Sequence, residues 1–448
     1  MDLASCSLVS KRLNTAALRV MYRHVSIPQS RAFAKFTRSL NADNMLGQLV
    51  HWLDFSHYSS IGFGRARSTT TKTPFLTPQT LKACLDLMPN LQAFLVHEHV
   101  DDELDVEVLL TLFRTPSLQA LDFCACSSKP FAEAFTTVCT GMSLGDHTSF
   151  WDSFPLSLQR LSLHECTTLQ EPVFEALLPR LVNLTHLDVA HTLVNDAALL
   201  SIPTSASLTH LNLERCTRLT GAAVVQFLTK HPAVHDKVVY LNLSADASRH
   251  RLLSENDVSR LLPALPSTLR SLNLGGARIN TRHVPALRRL ATQLEELGLK
   301  GANLSLSSDL SRIFGVDDHG RSTEDDKPRT LRYIDLTDVG SVTQMSLSYS
   351  PATLTSTDTL PLEVIELGPN VLDQFKKRNR NAKDPEWVIK ELGRRGWYVR
   401  QARPDEKKPM DDGYRSWKMG ARWWGMRKIP MAEQVVGGMY GYFMFKRN

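Results

Sequence analysis

The sequence predicts an α/β architecture of stacked repeats, each supplying one short parallel strand and one returning helix. Two observations carry that expectation. The first is a recurring phrase, L-x-x-L-x-L-x-x-C. It reads Leu158-x-x-Leu161-x-Leu163-x-x-Cys166, then Leu184, Leu187 and Val189, then Leu208-x-x-Leu211-x-Leu213-x-x-Cys216. Further copies begin at Val238, Leu269, Leu294, Leu331 and Leu362, so starts fall 26, 24, 30, 31, 25, 37 and 31 residues apart. The second is a helix-spaced apolar face after the phrase: Val173, Phe174, Leu177, Leu178 and Leu181 in one unit, Val258, Leu261, Leu262 and Leu265 in another. The phrase and most of the intervals match a leucine-rich-repeat solenoid. One such unit cannot bury its own apolar edge, so only stacking yields a core.

The elements follow in order along the chain. Leu3, Cys6, Leu8, Val9 and Leu13 have helix-like spacing, and Ala16, Leu18, Val20 and Met21 continue an apolar face. The full phrase from Leu3 to Ile27 is LASCSLVSKRLNTAALRVMYRHVSI. This text resembles the C-terminal half of an F-box at Cys6, Val9, Ser10, Arg12, Asn14, Tyr22 and Ile27, over about 25 residues. An F-box followed by leucine-rich repeats resembles the F-box/leucine-rich-repeat family of fungal type. The family's opening helix, with its Leu-Pro phrase, is absent, so the resemblance implies a truncated F-box.

Degenerate repeats come next. Val50, Leu53 and Phe55 are expected to form one strand, Leu91, Phe94 and Val96 another, and Leu118, Leu121 and Phe123 a third. Asp196 or Thr220 is expected to cap a following helix through its side-chain oxygen. Residues 59–73 and 317–329 are polar and lack apolar periodicity, which predicts loop insertions. Glu386 to Leu392 reads as a helix and Trp397-Tyr398-Val399 as a terminal strand. The expected organisation is therefore an F-box-like helical segment over 1–45, a repeat array over 46–403 and a basic aromatic segment over 404–448 that caps the array.

Composition bounds the function. The chain has 448 residues, 42% hydrophobic and 22% charged, which is ordinary for a folded protein. No run approaches the roughly 18 apolar residues that span a bilayer, and no secretory signal is visible, so a cytoplasmic or nuclear location is expected. Net charge is +6. Lys and Arg outnumber Asp and Glu 19 to 8 from Lys376 onward, leaving 33 against 38 before it. Cys126, Cys166 and Cys216 fall at the last position of the repeat phrase, where a small buried side chain belongs. His97-Glu98-His99 is read as part of a strand end rather than a metal site. No nucleophile elbow, phosphate loop or zinc-peptidase motif is present, so no catalytic residue, cofactor or metal is expected.

The functional expectation is a binding surface. Side chains alternate along a strand, so the residues between the leucines should face solvent on the concave side. Arg160, His186, Asp188, His210, Glu214, Tyr240, Glu296, Lys300 and Tyr333 are the expected partner-binding residues. Asp188, Asn212, Asn242 and Asn273 could equally be ordinary repeat text. Mixed charge with Tyr and His suits a protein epitope better than a nucleic-acid backbone, which wants clustered Lys and Arg. The family resemblance implies a substrate receptor of an SCF-type ubiquitin ligase. In that reading Leu8, Val9, Leu13 and Tyr22 form the adaptor contact or F-box core, a Skp1-like adaptor is one partner, and an unknown protein substrate is the other. The alternative is a leucine-rich-repeat interaction scaffold with no ubiquitin role, its F-box remnant acting as an N-terminal cap.

Overall fold

The computed structural model describes residues 3–56, 58, 75–141, 156–315, 330–349, 354–379, 386–392 and 395–401. The expected loops at 59–73 and 317–329 and the segment at 404–448 lie outside the described residues. The chain divides into two compact units, residues 1–207 and 208–448.

In the first unit, helices α1 (Leu3–Cys6) and α2 (Lys11–Arg23) lead into strand β1 (His24–Ser26). Ser10 caps α2, its hydroxyl accepting from the Leu13 N–H at 3.2 Å. Strand β1 pairs in parallel with β2 (Trp52–Asp54), and β3 (Ala93–His97), β4 (Ala120–Cys124), β5 (Arg160–Ser162) and β6 (His186–Asp188) follow in chain order. The F-box-like text thus ends in a strand, inside the range 1–45 assigned to helix. Val25, Leu53, Phe94, Leu121, Leu161 and Leu187 stand opposite one another across the strands, and all but the half-buried Val25 are fully buried. Helix α3 (Ser30–Ala42) turns Phe33, Phe36 and Leu40 inward at helical spacing. Helices α4 (Pro78–Asp86), α5 (Val106–Arg114) and α6 (Lys129–Thr140) back the next repeats. Their core is aromatic: Phe33 meets Phe55, Phe55 meets Phe94, and Phe123, Phe131 and Phe135 touch at 5.3–5.6 Å between centroids.

In the second unit, β7 (His210–Asn212), β8 (Tyr240–Asn242), β9 (Ser271–Asn273), β10 (Glu296–Gly298), β11 (Tyr333–Asp335) and β12 (Val364–Leu367) run parallel in chain order. Leu211, Leu241, Leu272, Leu297, Ile334 and Ile365 stand in register. Helices Gly221–Lys230, Glu255–Leu261 and Val284–Ala291 return between them. Thr220 caps the first of these, as expected. In the first unit the cap of helix Asp196–Leu200 is Asn195, not Asp196: its Oδ1 accepts from the Ala198 N–H at 2.9 Å, and Asp196 is already helical.

The expected helix at 386–392 is a strand. β13 (Trp387–Leu392) forms an antiparallel hairpin with β14 (Arg395–Arg400), and β14 pairs antiparallel with β12. A seven-residue segment carries too few turns to separate the two periodicities. Tertiary contacts decide it: Trp387 stacks on Tyr398 at 5.3 Å, and the Arg400 guanidinium lies 4.7 Å from the Trp387 ring.

Cys126, Cys166 and Cys216 are at most 1% exposed, so they pack beneath the strands. Burial, the nearby thiols of Cys166 and Cys124 and the carboxyls of Asp101 and Asp122 hold the Cys126 thiol well above its ordinary range.

Candidate functional site

Two kinds of surface stand out: an apolar helical face in the first unit, and the strand faces that carry the residues between the leucines in each unit.

On α2, Ala17 is buried and Leu18 and Tyr22 are half-buried, with the Tyr22 ring stacked on Phe36 at 6.3 Å. Leu13, Ala16 and Val20, at i, i+3 and i+7, lie together on the solvent side. Leu13 is 46% and Val20 57% exposed, and the adjoining Leu8 and Val9 reach 88% and 63%. Of the four residues expected to form the adaptor contact or F-box core, Tyr22 therefore belongs to the packing and Leu8, Val9 and Leu13 to the surface. Full burial of such a side chain is worth about 1.5–3 kcal/mol, so this cluster holds an unspent driving force for association.

The strand faces differ from expectation. His186, Asp188, Tyr240 and Tyr333 are buried rather than solvent-facing. Neighbouring strands lie only about 4.8 Å apart, so large side chains on one face cover each other, and polar ones are taken up by their neighbours.

The recurring Asp or Asn has a defined structural task. In the first unit, Asp54 Oδ1 accepts from the Ser56 N–H at 2.7 Å, Asp122 from Cys124 at 3.2 Å, and Asp188 from Ala190 at 3.1 Å. In the second, Asn212 serves Glu214 at 3.1 Å, Asn242 serves Ser244 at 3.1 Å, Asn273 serves Gly275 at 3.0 Å, and Asp335 serves Thr337 at 2.8 Å. Each side chain ends its strand by an Asx turn. A left-handed residue follows in most repeats, at Ala125, Glu165 and His191 in the first unit and Arg215, Gly276, Gly301 and Asp338 in the second. Asp188 is thus first a turn-former, and its carboxyl also lies 3.1 Å from His164 Nδ1.

The remaining expected residues divide by unit. Arg160 is half-buried opposite His186 on β5 and β6, and burial lowers its guanidinium from the ordinary range. His186 Nδ1 lies 2.9 Å from Thr185 Oγ1. In the second unit His210 stacks on Tyr240 at 6.2 Å, and Glu214 accepts from Asn242 Nδ2 at 2.9 Å. Glu296 accepts from Ser271 Oγ at 2.7 Å. Lys300 is exposed, 3.5 Å from Asp338.

At Tyr333 the structure adds groups that sequence reasoning missed. The Tyr333 hydroxyl donates to Glu366, which also accepts two bonds from Arg395, one of them Nε to Oε1 at 2.6 Å. The Arg395 guanidinium lies 5.3 Å from the Trp397 ring. Burial and the Glu366 charge raise the Tyr333 hydroxyl well above its ordinary range, and they push the Asp335 carboxyl up to about 7. Glu366 is legible as the strand position of the Leu362 repeat. Arg395 is not, because its place depends on the reversed hairpin.

His97 is buried, and its Nδ1 accepts from the His99 N–H at 3.0 Å. Among the described residues no cluster of His, Cys, Asp and Glu suits a metal ion, and no helix is long and apolar enough to cross a membrane.

No family model matches the chain. It is 29% identical over 287 residues to an F-box protein of Saccharomyces cerevisiae, a match covering 60% of this chain and 35% of that protein. The chain therefore spans about a third of the length of the curated relative it matches. Among solved structures it is similar to Rad7 in the yeast Rad7–Elc1 complex, with a TM-score of 0.47 and 15% identity over 81% of this chain and 88% of that one. An internalin from Listeria monocytogenes gives 0.31 and 12% over 60% and 68%.

Proposed function

We propose that the chain is a substrate receptor of an SCF-type ubiquitin ligase, in which the N-terminal helices hold a Skp1-like adaptor and the strand faces hold a target protein. The observation that carries this reading is the exposed apolar face of Leu13 and Val20 on α2, with Leu8 and Val9 exposed in the turn before it, within the F-box-like text. A helix that only capped the stack would turn these residues inward. The similarity to a yeast F-box protein supports the same assignment.

The proposed division of labour follows from the chemistry available. Adaptor binding buries an apolar helical face, a recognition mode that needs no fixed charge pairs. Target binding falls to the side chains that remain accessible on the strand faces and their borders, such as His210, Glu214, Glu296 and Lys300, while buried Tyr240 and Tyr333 shape the surface beneath them. The chain positions a target, and the covalent chemistry belongs to other subunits.

The test is co-purification of the full chain with a Skp1-like adaptor. The reading expects a stable complex that is lost in the Val9→Glu, Leu13→Glu double variant with the fold retained. No complex with the unaltered chain, or one indifferent to both substitutions, contradicts it.

A further inference from the structure

The first two long helices carry positive charge only. Residues 3–42 hold seven Lys and Arg and no Asp or Glu, whereas residues 1–375 as a whole carry 33 against 38. On α2, Arg12, Arg19 and Arg23 stand at i, i+7 and i+11, on the side away from buried Ala17. On α3, Arg31, Lys35 and Arg38 stand at i, i+4 and i+7, opposite Phe33, Phe36 and Leu40. All six are exposed, as is Lys11 at the start of α2. Farther along this unit two lysines find acids one turn on, Lys82 reaching Asp86 at 3.0 Å and Lys129 reaching Glu133 at 3.5 Å. None of the seven is held in an ion pair among the described residues.

The two rows rest on one packed core, because Tyr22 of α2 stacks on Phe36 of α3 at 6.3 Å between ring centroids. Beside the arginine row of α2 runs the apolar row of Leu13, Ala16 and Val20. Before it, the turn that joins α1 to α2 is closed by two backbone hydrogen bonds. The Leu8 N–H donates to the Ser5 carbonyl at 3.2 Å, and the Val9 N–H donates to the Cys6 carbonyl at 3.3 Å. That turn holds both side chains clear of the core. Leu8, at 88%, is the most exposed large apolar side chain among the described residues.

We infer that this cationic face, with the Leu8–Val9 turn at its edge, docks on an anionic phospholipid bilayer as a peripheral contact. The sign of the charge selects the partner class, and its uniformity narrows it. A protein partner is held in register by complementary charges arranged across the interface, and this face offers one sign alone. A layer of like headgroups has no register to match. Each Lys or Arg near such a surface strengthens binding roughly fivefold, so unpaired cations on two helices act together without fixed pairing. Leu8 and Val9 supply the second component, apolar side chains that enter the boundary between headgroups and acyl chains. A nucleic-acid strand would take up the cations, but its bases want exposed aromatic rings to stack on. The large apolar side chains exposed here, Leu8, Val9, Leu13, Val20 and Met21 among them, carry no ring.

The inference does not rest on the receptor reading. A bilayer and an adaptor would both cover Leu13 and Val20, and would exclude each other there. Vesicle binding is measured on the chain without any adaptor, so either can fail while the other stands.

The experiment is co-sedimentation of the full chain with vesicles of phosphatidylcholine alone or with about one third phosphatidylserine, and with soluble polyglutamate as competitor. The chain is expected to bind the phosphatidylserine vesicles at least tenfold more tightly than the neutral ones, and to leave them as salt is raised. Arg19→Glu with Arg23→Glu should weaken that binding at least tenfold. Leu8→Ser with Val9→Ser, which leaves the charge unchanged, should weaken it at least threefold. Lys230→Glu with Lys237→Glu, the same charge change in the second unit, should leave it within twofold. All these positions are exposed, and circular dichroism checks that each variant keeps the fold. Equal binding to the two kinds of vesicle, or none, overturns the inference. So does an equal loss from the two charge variants. Indifference to the Leu8 and Val9 change, or release by polyglutamate at matched charge, also overturns it and assigns the face to an acidic protein segment.

Discussion

Asp188 shows how much one side chain in the repeat phrase can be asked to do. Its Oδ1 accepts from the Ala190 N–H, and the same carboxyl sits against His164 in a buried setting. Asp188→Ala leaves a buried donor without its acceptor, and a deletion of this kind costs about 1–3 kcal/mol. Urea unfolding should register that loss, and Asp188→Asn, which keeps the turn acceptor, should lose less. Asp335 makes a prediction about pH. Its folded carboxyl titrates near 7 against an ordinary 3.8, because of burial first and the Glu366 charge second. The folded state therefore holds the proton more tightly than the unfolded chain. The associated stability is full below about pH 4 and is lost as pH rises toward 7. Relative to Asp335→Asn, the unaltered chain should grow less stable between pH 4 and 8, read as the difference in unfolding midpoints; a flat difference contradicts the assignment. The identity of these residues was legible in the sequence, but their task was not. The alternation of a strand says which face a side chain takes, and it is silent on whether the backbone two residues on will claim it.

Elements were legible where the pattern is long and regular. The strands around Leu53, Phe94 and Leu121 were expected from spaced apolar residues alone and occur as β2, β3 and β4. The terminal strand at Trp397–Val399 was expected and occurs within β14; β13 and the hairpin it forms were missed because the pairing is set by distant partners, Tyr398 with Ile365 among them. The aromatic core behind β2 to β4 was also unread, since packing between helices and strands leaves no mark at fixed spacing. The turns carry their own prediction. Gly276 has φ of +80°, and a Cβ placed on it would lie 2.2 Å from the Ala245 carbonyl oxygen. Gly276→Ala should therefore destabilise the second unit by about 1–3 kcal/mol, measured by thermal or urea unfolding. An unchanged midpoint would mean that the backbone there relaxes at no cost.

At the scale of the molecule, the repeat phrase announced a binding surface, and the structure redistributes where binding can occur. Many strand-face side chains are engaged with one another, so in the proposed reading recognition falls to the exposed residues and the borders of the strands. The N-terminal text contributes both a strand, β1, and an exposed apolar helical face. The spacing of Leu13, Ala16 and Val20 could be read in advance; that the packing would use the opposite side of α2 could not, because amphipathic spacing does not say which face meets the neighbouring strand. The central claim is that this face binds an adaptor. Its most direct measurement is size-exclusion chromatography with light scattering on the full chain mixed with a Skp1-like adaptor. The account predicts a one-to-one complex that disappears in the Val9→Glu, Leu13→Glu variant while circular dichroism stays unchanged; separate elution of the unaltered chain and the adaptor would contradict it.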